Sequence, residues 1–277
     1  MESRLGDDMK LLGKRIIQVK SLDSWIPIMF TGDWHKGARA CDKEALDAAL
    51  KWARRRKALV VGMGDYGNFI LPGDKRYDPR EVDPDFHEYL RSGEYGMKVS
   101  EDIIESAKQI TNWLFMLSGN HEEKYDRNND QQVVKNIAKA LKTKYGGYAA
   151  AMSLRFVAGA KRATFKVVAS HGFGSATTRA GRVRKMEQFE ASIEGADLCV
   201  VGHMHDKHTF KIPHVGVNED CTALFDSPTR VLCAGSFLKT IGEGFATYSE
   251  MKGYQTVPIG SPVVWLQPST RKTRVED

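Results

Sequence analysis

Aspartate and histidine recur in five short motifs, and each motif follows directly after an apolar run. Carboxylate oxygens and imidazole nitrogens are common ligands of transition metals in proteins. The motifs are Gly32-Asp33-Trp34-His35, Gly64-Asp65, Gly119-Asn120-His121-Glu122, Ser170-His171-Gly172 and Gly202-His203-Met204-His205. Taken singly, most of them are typical of loop caps and turns. Their joint occurrence after apolar runs favours a metal site.

Seven side chains in these motifs are candidate metal ligands. They are Asp33, His35, Asp65, Asn120, His171, His203 and His205. One ion takes about four to six ligands, so this set is better suited to two ions that share a carboxylate. A pair of metal ions acidifies bound water to give a hydroxide nucleophile, and it holds the attacking and leaving oxygens of a phosphoryl displacement. The mixed nitrogen and oxygen set suits Mn²⁺, Fe or Zn²⁺ better than Mg²⁺ or Ca²⁺.

The apolar runs before the motifs predict strands that end at the candidate ligands. Strands are expected at 25–30, 58–63, 113–117, 163–169 and 197–201. Helical periodicity predicts helices at 42–57, 99–112, 129–144 and 183–194. The first helix has Asp42 as its predicted N-cap residue. Alternating strands and helices favour a parallel sheet, whose sites form beyond the carboxyl ends of its strands.

The second half of the chain is richer in strand patterns than the first half. A hairpin is predicted from 148–157 and 163–169, and further strands are predicted at 208–217, 229–237 and 262–267. Residues 1–20 are predicted to form an edge strand or an approach to the fold. Together the patterns predict a single α/β domain over 1–277, with two sheets packed face to face and helices outside. The Pro- and Gly-rich segment 71–97 is expected to be an insertion or a lid loop.

Composition limits the compartment and the partners. The 277-residue chain has a net charge of +6, a mild excess that favours a polyanionic partner such as nucleic acid. No apolar run is long enough to span a bilayer, and residues 1–4 do not resemble a signal peptide. The four cysteines form no CxxC pair, which favours free thiols in a reducing compartment. We therefore expect a cytoplasmic protein without membrane contacts.

The five motifs, taken in order, resemble those of the calcineurin-like metallophosphoesterase family over residues 33–205. The resemblance implies a four-layer α/β/β/α sandwich with two central mixed sheets and a centre of two divalent metal ions. It implies a first metal held by Asp33, His35 and His205. It implies a second metal held by Asn120, His171 and His203, with Asp65 as the bridge. His121 would be the general acid that protonates the leaving group, oriented by Glu122.

Two departures from the family pattern bear on the substrate. The second motif often continues to another Asp, where this chain has Asn68, and protein phosphatases of the family carry an Arg where this chain has Phe69. The missing Arg disfavours a protein phosphatase. The basic stretch 177–185 after His171 is either a solvated helix start or a contact for a nucleic-acid backbone. The candidate substrate-binding residues are Asn68, Arg179 and Arg182.

The function predicted from these residues is a metal-dependent phosphodiesterase that acts on nucleic acid or nucleotides. The motifs are most similar to those of compact, nuclease-like members found in phages and prophages. Mn²⁺ is the first choice of metal, with Fe or Zn²⁺ as alternatives. One alternative function is a phosphomonoesterase acting on a phosphoprotein or a small phosphorylated metabolite. Another is a non-catalytic scaffold, which the intact ligand set and His121 disfavour.

Overall fold

Short runs of aliphatic residues form the central strands of the protein, and the computed structural model describes residues 9–276. The first sheet contains β1 (Met9–Gln18), β6 (Ala149–Ala158), β7 (Lys161–Ser170), β8 (Leu198–Val201), β9 (Thr209–Ile212) and β12 (Thr229–Cys233). The second sheet contains β2 (Ile26–Thr31), β3 (Leu59–Gly62), β4 (Trp113–Met116), β5 (Lys144–Tyr145), β13 (Val263–Gln267) and β14 (Lys272–Glu276). A separate hairpin contains β10 (Val215–Val217) and β11 (Leu224–Asp226).

Seven α-helices connect or cover these strands in the described part of the chain. They are α1 (Lys43–Arg56), α2 (His87–Ser92), α3 (Tyr95–Ala107), α4 (Asn120–Asn129), α5 (Val133–Ala140), α6 (Arg179–Glu190) and α7 (Tyr248–Met251). Two 3-10 helices lie at Pro79–Glu81 and Pro84–Phe86. The side chain of Asp42 accepts a hydrogen bond from the Ala45 N–H at 2.9 Å, so it caps α1 as predicted.

Both six-stranded sheets are mixed. Their orders are β1-β6-β7-β8-β12-β9 and β14-β13-β2-β3-β4-β5. In the second sheet, β2, β3, β4 and β5 are parallel neighbours, whereas β13 pairs antiparallel with β2. In the first sheet, β7, β8 and β12 are parallel neighbours. The carboxyl ends of β2, β3 and β4 therefore meet at one edge of the second sheet.

Three apolar clusters separate the layers. The middle cluster lies between the sheets and includes Phe30, Phe115, Phe156 and Phe165, all at most 1% exposed. An outer cluster packs α1, α3 and α5 against the second sheet, and another packs α6 against the first sheet. Alternate residues of the inner strands face opposite layers, which is the period expected of a strand. The predicted α/β class with two large mixed sheets is confirmed.

The helices differ from their predicted bounds where apolar periodicity is weak. Helix α4 was not predicted, because its sequence from Asn120 to Asn129 is almost entirely polar. The helix predicted at 129–144 is shorter and is α5. Helix α3 ends at Ala107, five residues before the predicted end at 112, and the Ala107 carbonyl accepts the Trp113 indole N–H at 3.1 Å.

The β-rich second half also differs in detail. The strand predicted at 208–217 is divided at Pro213 between β9 and β10, which lie in different sheets. Strands β11 and β14 were not predicted. Residues 9–18 of the predicted edge segment 1–20 form β1, while residues 1–8 and residue 277 lie outside the described part.

Segment 71–97 is folded and packs into the outer apolar cluster beside the second sheet. It contains both 3-10 helices, all of α2 and the start of α3. Val82 and Phe86 are 2% and 5% exposed and belong to the same apolar cluster as Leu46 and Val99. The role of this segment as a lid stays a prediction. Within residues 9–276, no helix has both the length and the apolar character needed to cross a membrane.

Candidate metal centre

Five of the seven candidate ligands lie in loops whose backbone is strained. Asp33, His35, Asp65, His203 and His205 all have positive φ angles, between 48° and 67°. Residues other than glycine rarely adopt this left-handed backbone conformation, which costs about 1–3 kcal/mol per residue. Such strained residues are most frequent at functional sites. Five of the eleven such residues in the described chain are predicted ligands. The local strain therefore marks the same residues as the sequence motifs.

Glycines allow the loops after β3 and β4 to approach each other. A Cβ atom on Gly119 would lie 2.1 Å from Asp65 Oδ1 and 2.3 Å from the Asp65 backbone N. A Cβ atom on Gly64, whose φ is +91°, would lie 2.7 Å from His171 Nδ1. Both distances are far below van der Waals contact. The two glycines are therefore required for Asp65 and His171 to reach the same point.

One group of ligand atoms contains Asp33, His35 and His205. His205 Nε2 is 3.1 Å from both Asp33 Oδ1 and His35 Nε2, and His35 Nε2 is 3.9 Å from Asp33 Oδ1. The three atoms lie within 4.8 Å of one another. The opposite oxygen, Asp33 Oδ2, accepts the backbone N–H of His203 at 3.0 Å, which orients the carboxylate.

A second group contains Asp65, His171 and His203, again within 4.8 Å of one another. Asp65 Oδ2 is 3.3 Å from His171 Nε2, and Asn120 Oδ1 lies 3.1 Å from the same nitrogen. The His171 ring is fixed because its Nδ1 contacts the Met63 carbonyl at 2.7 Å. Asp65 also groups with His35, so its carboxylate lies between the two sets.

These groups fit divalent metal ions. Asp33 Oδ1 and His203 Nδ1 are buried and have no hydrogen-bond donor or acceptor among the described residues. The other ring nitrogen of His203 contacts the Gly174 carbonyl at 2.8 Å and must carry the proton there, which leaves Nδ1 with a free lone pair. Buried polar atoms without partners are costly, and an ion held between them would satisfy them. The structure therefore brings together all seven predicted ligands.

Acid–base balance in the groups also favours a cation. Burial lowers the pKa of His171, but the carboxylates of Asp65 and Asp33 outweigh it and raise this pKa to about 10. Burial and the neighbouring rings of His121 and His205 hold the pKa of His35 well below its usual range. A proton on His171 thus balances the carboxylates. A divalent ion would replace that proton, since metal binding to imidazole requires the neutral ring.

His121 lies beside these ligands, but its ring nitrogens have other contacts. Its backbone N–H donates to Asp65 Oδ1 at 2.9 Å, and its Nδ1 donates to the backbone carbonyl of Asn68. Its Nε2 lies 3.3 Å from Nη1 of Arg76. His121 is also close enough to His35 and Asp65 to form a third group of ligand atoms. The guanidinium at Nε2 opposes a metal ion there, since both carry positive charge.

Arg76 was not singled out by the sequence motifs. Asp74 orients it through contacts of 3.2 Å to Nε and 2.9 Å to Nη2, and Lys124 binds the same carboxylate at 2.8 Å. The Arg76 hydrogen bonds hold the pKa of Asp74 well below its usual range. Arg76 comes from segment 71–97, forty-five positions before His121. The sequence did contain one indication of this role: Asp74, Lys75 and Arg76 form a charged cluster in a long segment that follows a ligand motif.

The role expected of Glu122 requires correction. Its carboxylate does not contact the His121 ring, whose Nδ1 is held by Asn68. Instead it is fully buried and accepts four backbone N–H groups at 2.6–3.2 Å, from Asp65, Tyr66, Gly67 and Gly119. Burial and the Asp65 carboxylate raise the pKa of Glu122 to about 8, against the opposing effect of the backbone donors. Glu122 therefore positions the Asp65 loop.

The three predicted substrate-binding residues have different surroundings. Asn68 is 8% exposed and lines the cavity beside the metal groups. Arg182 is 5% exposed and lines the same cavity, but its Nη1 is paired with Asp206 Oδ2 at 2.8 Å. Arg179 is exposed at the start of α6 and is not among the residues that line the cavity. The structure thus brings Asn68 and Arg182 to the site and leaves Arg179 outside it.

A cavity of about 280 Å³ opens beside the metal groups. His35, Asp65, Asn120, His121, His203 and His205 form one side of it. Segment 71–97 contributes Arg76 and Glu81. A wall from 238–257 contributes Leu238, Lys239, Thr240, Thr247, Tyr248, Ser249, Tyr254, Gln255 and Val257. Small-molecule sites start at about 300 Å³, so the cavity has room for one small ligand.

Replacing Glu122 with alanine is expected to destabilise the fold strongly. The change leaves four buried backbone N–H groups without acceptors, and each costs about 1–3 kcal/mol, so the free energy of unfolding falls by at least about 3 kcal/mol. Urea unfolding measures this difference. Glu123→Ala is the matched control, because Glu123 is exposed on the same helix. A Glu122→Ala protein as stable as Glu123→Ala would contradict the positioning role.

Replacing Asp65 with asparagine is expected to weaken metal binding. The amide removes one negative charge from a carboxylate that lies between both ligand groups, so the affinity for Mn²⁺ falls by at least about tenfold. Isothermal titration calorimetry with the metal-stripped protein gives affinity and stoichiometry. Asp102→Asn serves as the control, since Asp102 pairs with Lys36 outside these groups. Unchanged stoichiometry and affinity in Asp65→Asn would exclude a bridging carboxylate.

Comparison with solved structures gives low structural similarity. One is "GAP50 the anchor in the inner membrane complex of Plasmodium", with 11% identity, a TM-score of 0.43 and coverage of 87% of this chain and 81% of that chain. Another is TT1561 of Thermus thermophilus, with 10% identity, a TM-score of 0.35 and coverage of 92% of this chain and 99% of that chain. Superpositions at this level support no conclusion about this chain. No curated protein sequence matches it significantly.

A family comparison is more informative. Residues 26–207 match the calcineurin-like phosphoesterase family. The matched range contains all seven candidate ligands and His121, and it extends from β2 past His205. Its members' chemistry agrees with the two groups of carboxylates and imidazoles described above. The chain therefore belongs to the calcineurin-like phosphoesterase family, whose members are metal-dependent hydrolases of phosphoester bonds.

Proposed function

We propose that this protein is a phosphodiesterase that acts on nucleic acid or nucleotides, as a compact, nuclease-like member of its family. The observation that carries the proposal is the extent of the cavity. It starts at His121 and His205 and continues to the partly apolar wall of Leu238, Tyr248 and Val257. A phosphodiester has a second organic substituent, which needs such space beside the metal groups. A small phosphomonoester would leave this wall without a contact.

Charge near His121 supports a singly charged diester. Phe69 occupies the position of the phosphatase Arg and is 5% exposed, packed against Tyr125 with ring centroids 4.9 Å apart. Arg182 and Arg76 are each paired with a carboxylate, Asp206 and Asp74 respectively. Among the cations lining this cavity, Arg76 alone has a described contact with His121. One guanidinium matches the single negative charge of a diester better than the two charges of a monoester.

Each residue then has a defined part in hydrolysis. Bound divalent ions would supply Lewis acidity and lower the pKa of water, and Mn²⁺ is the proposed metal. Arg76 binds a phosphate oxygen through its guanidinium, whose orientation is fixed by Asp74. The Nδ1–H of His121 is held by the Asn68 carbonyl, so the ring donates from Nε2. That nitrogen takes up a proton from solvent when the Arg76 guanidinium turns from Nε2 to the phosphate, and it then passes the proton to the leaving oxygen. Such a positioned acid contributes about 10²–10⁴-fold to the rate.

A phosphomonoesterase is the second candidate, and Arg76 is the observation that favours it. An Arg beside the catalytic imidazole could replace the guanidinium missing at Phe69. However, Asp74 pairs with Arg76 and so reduces the attraction that Arg76 exerts on the dianion of a monoester.

The partner proposed for the diesterase is a polyanion, in agreement with the net charge of +6.

The metal-loaded protein is expected to prefer diesters. With Mn²⁺ present, kcat/KM for bis(p-nitrophenyl) phosphate should exceed that for p-nitrophenyl phosphate by about tenfold, which equals about 1.4 kcal/mol of transition-state binding. Both substrates release the same chromophore, so one absorbance assay compares them. A monoester preference of the same size would favour the second candidate. Activity that persists after chelation and dialysis would argue against metal dependence.

Replacing His121 with asparagine is expected to lower kcat for a dinucleotide, whose ribose alkoxide must be protonated to leave, by about 10²-fold or more, because the proton donor is lost. The loss should be much smaller for bis(p-nitrophenyl) phosphate, whose p-nitrophenolate leaves without a proton. Metal stoichiometry should stay as in the unmodified protein, which calorimetric titration with Mn²⁺ can establish. His87→Asn is a suitable control, since that ring contacts the Val82 carbonyl and lies outside the cavity lining. Equal turnover of the dinucleotide in His121→Asn and the unmodified protein would remove His121 from the mechanism.

A further inference from the structure

Two tyrosines form an aromatic corner in the wall opposite the metal groups. The rings of Tyr248 and Tyr254 are 6.2 Å apart between centroids, with an interplanar angle of 76°. Both line the cavity, and they are 39% and 38% exposed. Leu238 and Val257 add apolar surface beside them. Partly exposed aromatic faces in a cavity are suited to contact a flat ligand.

Glu81 supplies a polar group to the same cavity. Its Oε1 is buried and has no hydrogen-bond donor among the described residues. The backbone holds Glu81 in place, because it ends the Pro79–Glu81 helix and its carbonyl accepts the Arg39 N–H at 2.8 Å. Burial raises the pKa of Glu81, and the Tyr248 backbone N–H acts against this. A buried acceptor without a partner is costly unless a ligand donates to it.

From this arrangement we infer a nucleobase subsite in which the ring of Tyr254 stacks on one face of an unpaired base, the near-perpendicular ring of Tyr248 contacts its rim, and Glu81 accepts N–H groups from its edge. The inference rests on the proposed phosphodiesterase function and names the substrate group next to the phosphate. Stacking on aromatic side chains tolerates any base. The acceptor Glu81 therefore decides which base is preferred.

Guanine fits this acceptor better than the other bases. Its N1–H and N2–H are adjacent donors on one edge, and the Glu81 oxygen that lacks a donor, Oε1, has two lone pairs to accept them. Adenine and cytosine place an acceptor nitrogen beside their amino group. Thymine and uracil flank one N–H with two carbonyl oxygens, which a carboxylate repels. The subsite then discriminates against the other four bases, because each would place an acceptor atom against the Glu81 oxygen with no hydrogen between them.

The base must also be unpaired. In a duplex this edge of guanine already binds cytosine, and a cavity of about 280 Å³ has room for one nucleoside only. The substrate class is therefore a free nucleotide ester or the end of a single strand. A phosphotyrosine peptide could also present a flat ring to Tyr248 and Tyr254. It has no N–H edge for Glu81, which makes it the disfavoured occupant.

A set of matched diesters tests the inference. The p-nitrophenyl esters of the guanosine, adenosine, cytidine and thymidine 5′-monophosphates are compared with methyl p-nitrophenyl phosphate, which has no base. For the Mn²⁺-loaded protein, kcat/KM for the guanosine ester is expected to exceed that for the thymidine ester by about tenfold. A single-stranded oligonucleotide with a terminal guanine, compared with a blunt duplex, distinguishes a strand end from a free nucleotide.

Two variants separate the edge contact from the face contact. Glu81→Gln should lower the guanosine-to-thymidine ratio of kcat/KM about tenfold, because the amide places a donor beside its acceptor. Tyr254→Ala should lower the ratio of any nucleoside ester to the methyl ester about fivefold, and Tyr254→Phe should restore it. Tyr89→Ala is the matched control, because Tyr89 does not line the cavity. Its ring is instead near Lys98, whose Nζ lies 5.3 Å from the ring centroid.

Binding of guanosine 5′-monophosphate, measured by calorimetry, makes the result independent of turnover. The subsite would be supported if guanosine monophosphate bound more tightly than thymidine monophosphate and if Glu81→Gln weakened the binding of guanosine monophosphate. This holds even if no diester were hydrolysed, in which case only the proposed phosphodiesterase function would fail. Equal binding of the two nucleotides, with base-independent hydrolysis of diesters, would overturn the subsite and leave the phosphodiesterase intact. Faster hydrolysis of a phosphotyrosine peptide than of every nucleoside ester would also overturn it.

Discussion

The buried carboxylate of Glu122 is the interaction on which the geometry of the site depends. It accepts backbone N–H groups from the loop after β3 and from the loop after β4. The first loop carries Asp65 and the second leads into α4 at Asn120, and the two loops follow neighbouring strands of one sheet. Without a common acceptor, their N–H groups would be buried and unpaired, since the loops lie where no further strand can bind them. Glu122 thus links the two loops to each other, as backbone hydrogen bonds link neighbouring strands within the sheet.

The cost of this arrangement is concentrated at the ligands. Asp33, Asp65 and the two histidines after β8 hold left-handed backbone conformations, and Asp33 Oδ1 and His203 Nδ1 are buried without partners among the described residues. Strain and unpaired polar atoms persist only where the surrounding structure determines them strongly. Here the two sheets supply that rigidity, because buried parallel strands lead directly into the loops. Metal ions would convert the unpaired atoms into ligands, so the same features that lower stability would raise metal affinity.

The sequence contained enough information to predict the sheets and which side chains the structure brings together beside them. Most of the candidate ligands follow a strand that is a run of apolar residues, and β7 before His171 is interrupted only by polar residues such as Lys166. Such runs are local and can be recognised without knowledge of distant contacts. Helix α4 could not be predicted in this way, because only His121 and Glu122 of it are buried and its periodicity is therefore absent. The role of Glu122 also depends on contacts with residues more than fifty positions away, which no local pattern encodes. Whether the ligands act as predicted depends on the metal experiments.

Several residues that line the cavity could not be predicted, although Asn68 and Arg182 were. Arg76 and Glu81 come from segment 71–97, and Tyr248 and Tyr254 come from 238–257. Both segments have turns and short helices in place of a regular period, so their side chains are directed by irregular backbone. The strands and their loops hold the metal groups, which define the bond that is broken. The two irregular segments form much of the remaining wall of the cavity. If the proposed phosphodiesterase function holds, the choice of substrate would rest on these residues, which lie outside the five metal-ligand motifs, because function is carried by the site and not by the fold.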